Sequence, residues 1–261
     1  MIRSLYTGTT GMNSQQLNID VISNNLANVS TTGFKKSIAN FQDLLYETIK
    51  TPGSPTSADT ESPTGVQVGL GVQPTAVTKI FSQGELIGTE NELDIAIEGD
   101  GFFQVELPNG DTAYTRAGAL KLNSNGTIVN SSGYTVLPAI TVPEGSNRIT
   151  ISDTGIVSAV LAGESEATEI GTMELALFTN SAGLSSAGNN LLLETTASGA
   201  PTVGAPGDDG YGELIQNFLE GSNVNIVQEL TNLITAQRAY EINSKSIQTS
   251  DEMMQTTNRL K

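Results

Sequence analysis

Both ends of this 261-residue chain carry the hydrophobic period of helices that pack side by side. Near the N-terminus, spacings of three and four residues alternate along one row: Ile2, Leu5, Thr9, Met12, Gln16, Ile19, Ser23 and Leu26. Near the C-terminus the same spacing continues through Ile226, Leu230, Leu233, Gln237, Tyr240, Ser244, Ile247, Asp251, Met254 and Asn258. This heptad pattern predicts two terminal helices that pair as a coiled coil.

The polar residues within both rows limit what such a pair can do alone. Gln, Ser, Thr, Asp and Asn stabilise a two-helix contact weakly, and an isolated helix of this length is marginal in water. Two interpretations stay open: an intramolecular pair that covers a β core, or a surface completed by several copies of the chain. The polarity favours the second. The predicted interface is Ile2, Leu5, Met12, Ile19, Leu26, Ile226, Leu230, Leu233, Tyr240, Ile247 and Met254.

Between the helices the sequence changes to short strands and frequent turns. "PNGD" (108–111) is a hairpin signal between two apolar segments, and similar turn signals recur every 8–12 residues. We therefore predict an α+β fold in which a mainly antiparallel β domain is inserted between the terminal helices. The expected division is a helical core of 1–33 with 222–261, an extended β-arm or linker at 34–81, and a β-rich outer domain at 82–221.

The segment 51–65, TPGSPTSADTESPTG, is rich in residues that disfavour regular structure. It holds three prolines, two glycines and many hydroxyl side chains. Composition alone favours a flexible linker. The alternative is an extended arm that lies on a neighbouring copy of the chain.

Composition also excludes several kinds of chemistry. The chain has no Cys, His or Trp, so it has no Cys/His zinc site, no Ser-His-Asp triad and no cysteine nucleophile. The glycines at 65–71 precede a proline rather than a helix, and no P-loop lysine follows them. Asp94, Glu98 and Asp100 fit a solvated acidic surface better than a metal site. We expect no catalytic, cofactor-binding or metal-binding residues.

The net charge of −16 lies between the helices. Residues 30–221 hold 7 basic and 23 acidic residues, whereas both ends are neutral. An acidic protein is a poor partner for nucleic acid, because phosphate contacts require basic residues. The sequence has no apolar run of roughly 20 residues, so we expect no membrane insertion. We also find no signal peptide at the N-terminus.

Four segments share their pattern with one family. "NNLANVSTTGFKK" (24–36) and "SNVNIVQELTNLITAQRAYEINSKSIQTSDEMM" (222–254) resemble the terminal signatures of bacterial flagellar rod and hook proteins. "SQGELIGTENELDIAIEGDGFFQV" (82–105) and "YTRAGAL" (114–120) resemble the core that this family shares. The matching motif residues are Asn24, Asn25, Asn28, Thr32, Gly33, Phe34, Gln237, Arg238, Ala239, Tyr240 and Glu241.

The resemblance implies a structural subunit rather than an enzyme. Chain length and the stretch at about 46–65 are most like the distal rod, where subunits would form a hollow helical tube that transmits torque from motor to hook. The implied partners are further copies of the chain, proximal rod proteins, hook protein, ring bushing proteins and the flagellar type III export apparatus. The implied location is the basal-body rod, which spans the periplasm to the outer membrane.

Three alternatives stay open. The first is a proximal rod protein of the same family. The second is a β-rich periplasmic binding module that the helices merely dimerise. The third is a periplasmic hydrolase that uses two carboxylates.

Overall fold

A computed structural model describes residues 2–53, 55–57, 60–61, 63–161 and 167–259, without the side chains of residues 2, 55–57 and 60–61. The chain forms two compact units. The helix unit comprises Met1–Ala27, Ser37–Thr78 and Asn225–Lys261. The β unit comprises Asn28–Lys36 and Lys79–Val224.

Two long helices dominate the helix unit. Helix α1 spans Ile2–Ala27 and α2 spans Ile226–Arg259. Helix α2 begins where the sequence predicts, because the Asn225 side-chain oxygen accepts a hydrogen bond from the Gln228 N–H at 3.1 Å. That bond satisfies one of the free N–H groups at the helix start.

The strands of the helix unit form two-stranded ribbons. Strand β1 (Ser37–Asp43) pairs with β6 (Val72–Lys79), whose last residue belongs to the β unit. Strand β2 (Tyr46–Lys50) pairs antiparallel with β5 (Val66–Gly69). Between them, β3 (Pro55–Ser57) pairs with β4 (Thr60–Glu61). Residues 54, 58, 59 and 62 lie outside the described part, so the expectation for 51–65 is covered only in part.

The remaining strands build the β unit. They are β7 (Leu86–Gly88), β8 (Ile95–Glu98), β9 (Phe102–Glu106), β10 (Thr112–Thr115), β11 (Lys121–Leu122), β12 (Ile128–Val129), β13 (Thr135–Leu137), β14 (Ser146–Ile151), β15 (Ile156–Leu161), β16 (Thr168–Thr172), β17 (Leu175–Leu177), β18 (Ser185–Gly188), β19 (Leu191–Leu193), β20 (Thr202–Gly204), β21 (Glu213–Gln216) and β22 (Phe218–Glu220). A short 3₁₀ helix spans Ser181–Gly183.

The largest sheet is centred on the hairpin that the sequence predicts at 108–111. Strands β9 and β10 pair around that turn, and the Leu107 N–H donates to the Asp111 carbonyl at 2.9 Å. The sheet has the order β11-β12-β13-β9-β10-β19-β18, with β17 pairing both β9 and β20. Strands β14, β15 and β16 form a second sheet, while β21 pairs with β8 and β22 with β7.

A closed apolar core lies within the β unit. Ile95, Ile97, Phe103, Val105 and Leu175 have no exposed surface, and further strands pack around them. Phe102, Tyr114 and Phe178 form a second cluster with edge-to-face ring contacts. The prediction of terminal helices that pack together, with a mostly antiparallel β domain inserted between them, is confirmed.

Candidate assembly interface

Helices α1 and α2 run in opposite directions and touch along one row of residues. The Ser4 and Ser250 hydroxyl oxygens are 3.3 Å apart at one end, and the Asn25 amide donates to Glu229 Oε2 at 3.3 Å at the other. We call the residues that face each other along this line the contact row; on α1 it contains Ser4, Gly8, Gly11 and Asn25. On α2 it contains Glu229, Ala236, Asn243 and Ser250, at seven-residue intervals.

Glycines on α1 set the closeness of the pair. A Cβ atom added at Gly8 would lie 2.9 Å from Ile247 Cγ1, and one added at Gly11 would lie 3.0 Å from Asn243 Nδ2. Both distances are too short for a side chain to fit without movement of its neighbour. The contact row therefore consists mainly of small and polar residues rather than the larger apolar ones.

Asn25, from the predicted motif, joins three elements of the helix unit. Its side-chain oxygen accepts the Ser37 N–H at 2.9 Å, and its amide donates to the Ser37 carbonyl at 2.8 Å. The same amide reaches Glu229 on α2. Because Asn25 and Glu229 are both buried, these bonds fix the start of β1 against the helix pair.

Most of the predicted interface lies beside the contact row, but Ile247 contacts α1 directly, since a Cβ at Gly8 would lie 2.9 Å from its Cγ1. The described members of the interface on α1 are all half-buried: Leu5, Met12, Ile19 and Leu26. The side chain of Ile2 lies outside the described part. On α2, Leu233, Ile247 and Met254 are half-buried, while Ile226, Leu230 and Tyr240 are exposed.

Besides Leu230, which the prediction included, helix α2 exposes further apolar residues that it did not include. Val227 is 75% exposed, Ile242 69%, Ile234 52% and Leu230 42%. Single exposed apolar residues are common, but several on one 34-residue helix are typical of a surface that another protein covers.

The N-terminal motif continues into the β unit. The Asn28 side-chain oxygen accepts the Thr31 hydroxyl at 3.2 Å, and the Thr32 carbonyl accepts the Asn190 amide at 3.0 Å. Gly33 has a φ of +69°, and its N–H donates to the Glu220 carbonyl at 2.8 Å. A Cβ there would lie 2.6 Å from the Ala117 nitrogen, so this turn requires glycine.

The other motif residues are placed as follows. The Phe34 ring lies 5.4 Å from Lys79 Nζ, a cation–π distance, and burial lowers the pKa of Lys79. Asn24 is exposed on α1. On α2, Ala239 is half-buried, whereas the remaining C-terminal motif residues are exposed: Gln237, Arg238, Tyr240 and Glu241.

A buried charge cluster lies in the β unit and consists of Lys35, Arg116 and Glu220. Lys35 Nζ is 2.5 Å from Glu220 Oε1, and Arg116 Nε is 3.1 Å from Glu220 Oε2. The three side chains are at most 4% exposed. Burial lowers the pKa of both Lys35 and Arg116, and the negative charge of Glu220 opposes that change.

Three family models match successive parts of the chain. Residues 5–35 match "Flagella basal body rod protein", residues 96–159 match "Flagellar hook protein FlgE/F/G D1 domain", and residues 215–260 match "Flagellar basal body rod FlgEFG protein C-terminal". These ranges contain the residues of both predicted motifs and the contact row from residue 5 onward, with Ser4 just outside.

Full-length relatives share about half of their residues with the chain. The flagellar basal-body rod protein FlgG of Caulobacter vibrioides is 51% identical over 261 residues, and that of Buchnera aphidicola from Schizaphis graminum is 50% identical over 260. Each alignment covers 100% of both proteins. The chain belongs to the flagellar basal-body rod protein family.

The resemblance to the rod and hook family is thereby confirmed, and with it a structural role in the basal-body rod of the flagellum. A hook protein matches less completely. FlgE of Helicobacter mustelae is 44% identical over 137 residues, which cover 52% of this chain and 30% of that protein. The rod proteins, unlike this hook protein, match the chain from end to end.

Other kinds of site are not found in the described part of this rod-family chain. No described helix has the length and apolar character needed to cross a membrane. Within the same residues, no group of three or more acidic side chains is placed to hold a metal ion.

Sequence reasoning missed three residues at the close approach of α1 and α2 in this rod-family chain. Apolar periodicity does not identify Gly8, Gly11 or Asn243, because it gives no weight to glycine or asparagine. Seven-residue spacing of small and polar residues was the signal that could have found them. The charge cluster gave no local signal, because its members are far apart in the sequence.

Proposed function

We propose that this chain is a structural subunit of the distal rod, that its copies polymerise into a hollow helical tube, and that the tube transmits torque from the motor to the hook. The observation that carries this proposal is that α2 presents different kinds of residue to α1 and to solvent. Mainly small and polar residues face α1, with Ile247 beside Gly8, while Val227, Ile234 and Ile242 are exposed and are free to contact other copies.

The terminal helices supply the tube's axial core in this proposal and pair there as a coiled coil. The contact row has the seven-residue spacing that such a pair requires. The predicted interface, from Ile2, Leu5, Met12, Ile19 and Leu26 on α1 to Ile226, Leu230, Leu233, Tyr240, Ile247 and Met254 on α2, then contacts neighbouring subunits. Residues 1–33 with 222–261 form the core, 34–81 the arm, and 82–221 the outer domain.

The arm at 34–81 holds neighbouring subunits together along the tube. Its ribbon of β2 and β5 exposes Tyr46, Ile49, Val66 and Val68, and the adjacent Leu45 is 84% exposed. A two-stranded ribbon is marginally stable by itself, so these apolar residues gain stability by contact with another copy. This favours the extended-arm interpretation of 51–65 over the linker.

The partners follow from a place in the distal rod. They are further copies of the chain, proximal rod proteins on one side, hook protein on the other, and ring bushing proteins around the acidic outer domain. The chain reaches this place unfolded, through the flagellar type III export apparatus. It binds no nucleic acid, inserts in no membrane, uses no cofactor and has no catalytic activity.

Analytical ultracentrifugation with electron microscopy tests the proposal directly. The purified chain at rising concentration should sediment as a growing series of oligomers and form tubes of uniform diameter. A discrete dimer that never grows would contradict the proposal and favour a binding module. Clearing of cell-wall suspensions by the purified chain would favour a hydrolase.

A further inference from the structure

The charge cluster joins segments that are distant in the sequence. Lys35 is 185 residues from Glu220, and Arg116 is 104 residues from it. Glu220 lies at the end of β22 and carries the single carboxylate of the cluster. Two cations and one anion are thus removed from solvent together.

Backbone groups provide further hydrogen-bond partners for the three side chains of the cluster. Lys35 Nζ also donates to the Ser82 carbonyl at 2.8 Å, and Arg116 donates to the carbonyls of Gly101 at 2.9 Å and Gly99 at 2.7 Å. Glu220 Oε1 accepts the Gly84 N–H at 2.9 Å. Without Glu220, Lys35 and Arg116 would be two buried cations without a carboxylate in direct contact; backbone carbonyls, the Phe102 ring 5.9 Å from Arg116 and the more distant charge of Asp100 would remain.

The segment that carries Glu220 also completes the core. Strand β21 pairs with β8 from Glu213↔Glu98 to Gln216↔Ile95, and β22 pairs with β7. Strand β8 supplies Ile95, Ala96 and Ile97, which have no exposed surface, and Leu214 on β21 is buried beside them. Residues 213–220 are therefore a closing strap over the β unit.

We propose that the closing strap makes folding of the β unit all-or-none, because Lys35 and Arg116 cannot be buried until Glu220 is in place. An uncompensated buried charge is far less favourable than an exposed one. The strap therefore does not merely lie on a domain that is already folded. The rest of the unit, although it contains most of the strands, stays open without it.

This device suits a chain that must stay unfolded for export, a consequence that rests on the proposed function. Synthesis runs from the N-terminus, so both cations emerge long before the carboxylate. The β unit then stays open until nearly the whole chain is made. The folding claim itself concerns the single chain and does not depend on assembly.

Hydrogen exchange on the full-length soluble chain tests the strap. In Glu220→Gln, amides of β9 and β10 should lose protection by roughly 100-fold or more, by the same factor as amides of β21 and β22. The matched control is Glu213→Gln, an exposed glutamate of the same strap, which should leave all four strands protected. Loss of protection confined to β21 and β22 would overturn the proposal.

A compensated variant covers the case in which Glu220→Gln does not fold. Lys35→Met/Arg116→Met/Glu220→Leu removes all three charges and keeps side chains of similar size. It should fold and regain protection in β9 and β10. If this variant stays as unprotected as Glu220→Gln, charge is not what the strap supplies and the proposal is wrong. Because exchange is measured on the monomer, failure here leaves the rod proposal untouched, and failure to polymerise leaves the strap untouched.

Discussion

The helix unit and the β unit bury their residues in opposite ways. In the β unit, Phe103 and Ile95 are wholly enclosed, and even three charged side chains are sealed inside. In the helix unit the contacts between α1 and α2 use Gly8, Gly11 and Ser250, while large apolar side chains of α2 such as Val227 and Ile242 are exposed. The comparison teaches that the β unit buries its apolar residues within a single chain, whereas the helix unit leaves apolar residues exposed for contact with other copies.

The largest expected effect separates assembly from folding. Leu230→Asp should abolish polymerisation yet leave the single chain folded, because Leu230 is 42% exposed before assembly and its aspartate would be buried only afterwards. Sedimentation measures the first outcome and circular dichroism the second. Ile19→Asp should block polymerisation as well and leave the β unit folded.

The matched control for Leu230→Asp places the same charge at an exposed polar position of α2. Gln248→Asp should polymerise far better than Leu230→Asp. Tubes formed equally well by Leu230→Asp and the unaltered chain, or motile cells carrying that variant, would contradict the predicted interface.

Removal of the arm should change stiffness rather than assembly. Deletion of 51–63 should give a filament that bends more than the unaltered one, since contacts between neighbouring subunits along the axis are lost. Curvature in electron micrographs measures the effect. A Gly/Ser segment of equal length is the control for spacing and should also bend. Straight filaments in both variants would show that the arm does not hold neighbouring subunits together along the axis.

A large-to-small substitution in the core of the β unit tests how tightly that unit is packed. Phe103→Ala should lower the free energy of unfolding by about 3–5 kcal/mol, because it leaves a cavity at a position with no exposed surface. Urea denaturation measures it. Val203→Ala, at a residue 47% exposed, should change stability by less than about 1 kcal/mol. Equal losses would mean that Phe103 does not lie in a tightly packed core.

A larger side chain in the contact row should loosen the helix pair alone. Gly11→Leu should lower stability by about 1–3 kcal/mol, because its Cβ would already lie 3.0 Å from Asn243 Nδ2. Hydrogen exchange should quicken in α1 and α2 but not in β9. Thr7→Leu, on an exposed face of α1, is the control. If both variants exchange alike, the closeness of the helices does not matter.

The smallest expected effect concerns the start of α2. Asn225→Ala removes the side-chain oxygen that accepts the Gln228 N–H and should lower helix stability by about 1 kcal/mol. Exchange at the first-turn amides of α2 measures it. Asn258→Ala, near the other end of the helix, should leave that turn unchanged. If exchange at these amides is unchanged in Asn225→Ala, the Asn225 side chain does not stabilise the start of α2.

Local signals in the sequence predict both terminal helices and the central hairpin. Heptad spacing predicts both helices, Asn225 marks the start of α2, and "PNGD" marks the β9–β10 turn. Apolar spacing does not predict which faces of α1 and α2 meet. Where two helix backbones approach most closely, there is room for glycine but not for leucine. Leu230 therefore has the periodicity of a buried residue, while Ala236 and Asn243 lie in the contact row.

The amino-acid sequence by itself determined the two terminal helices, the inserted antiparallel domain, the absence of Cys/His chemistry and the family. These follow from periods, turn residues and composition, which act over a few residues or over the whole chain. Only the tertiary structure decided that Glu220 meets Lys35 and Arg116, and that Asn25 meets Ser37 and Glu229. Such pairs have no local signature, because burial of a charge or an amide is tolerable only where folding brings a distant partner to it.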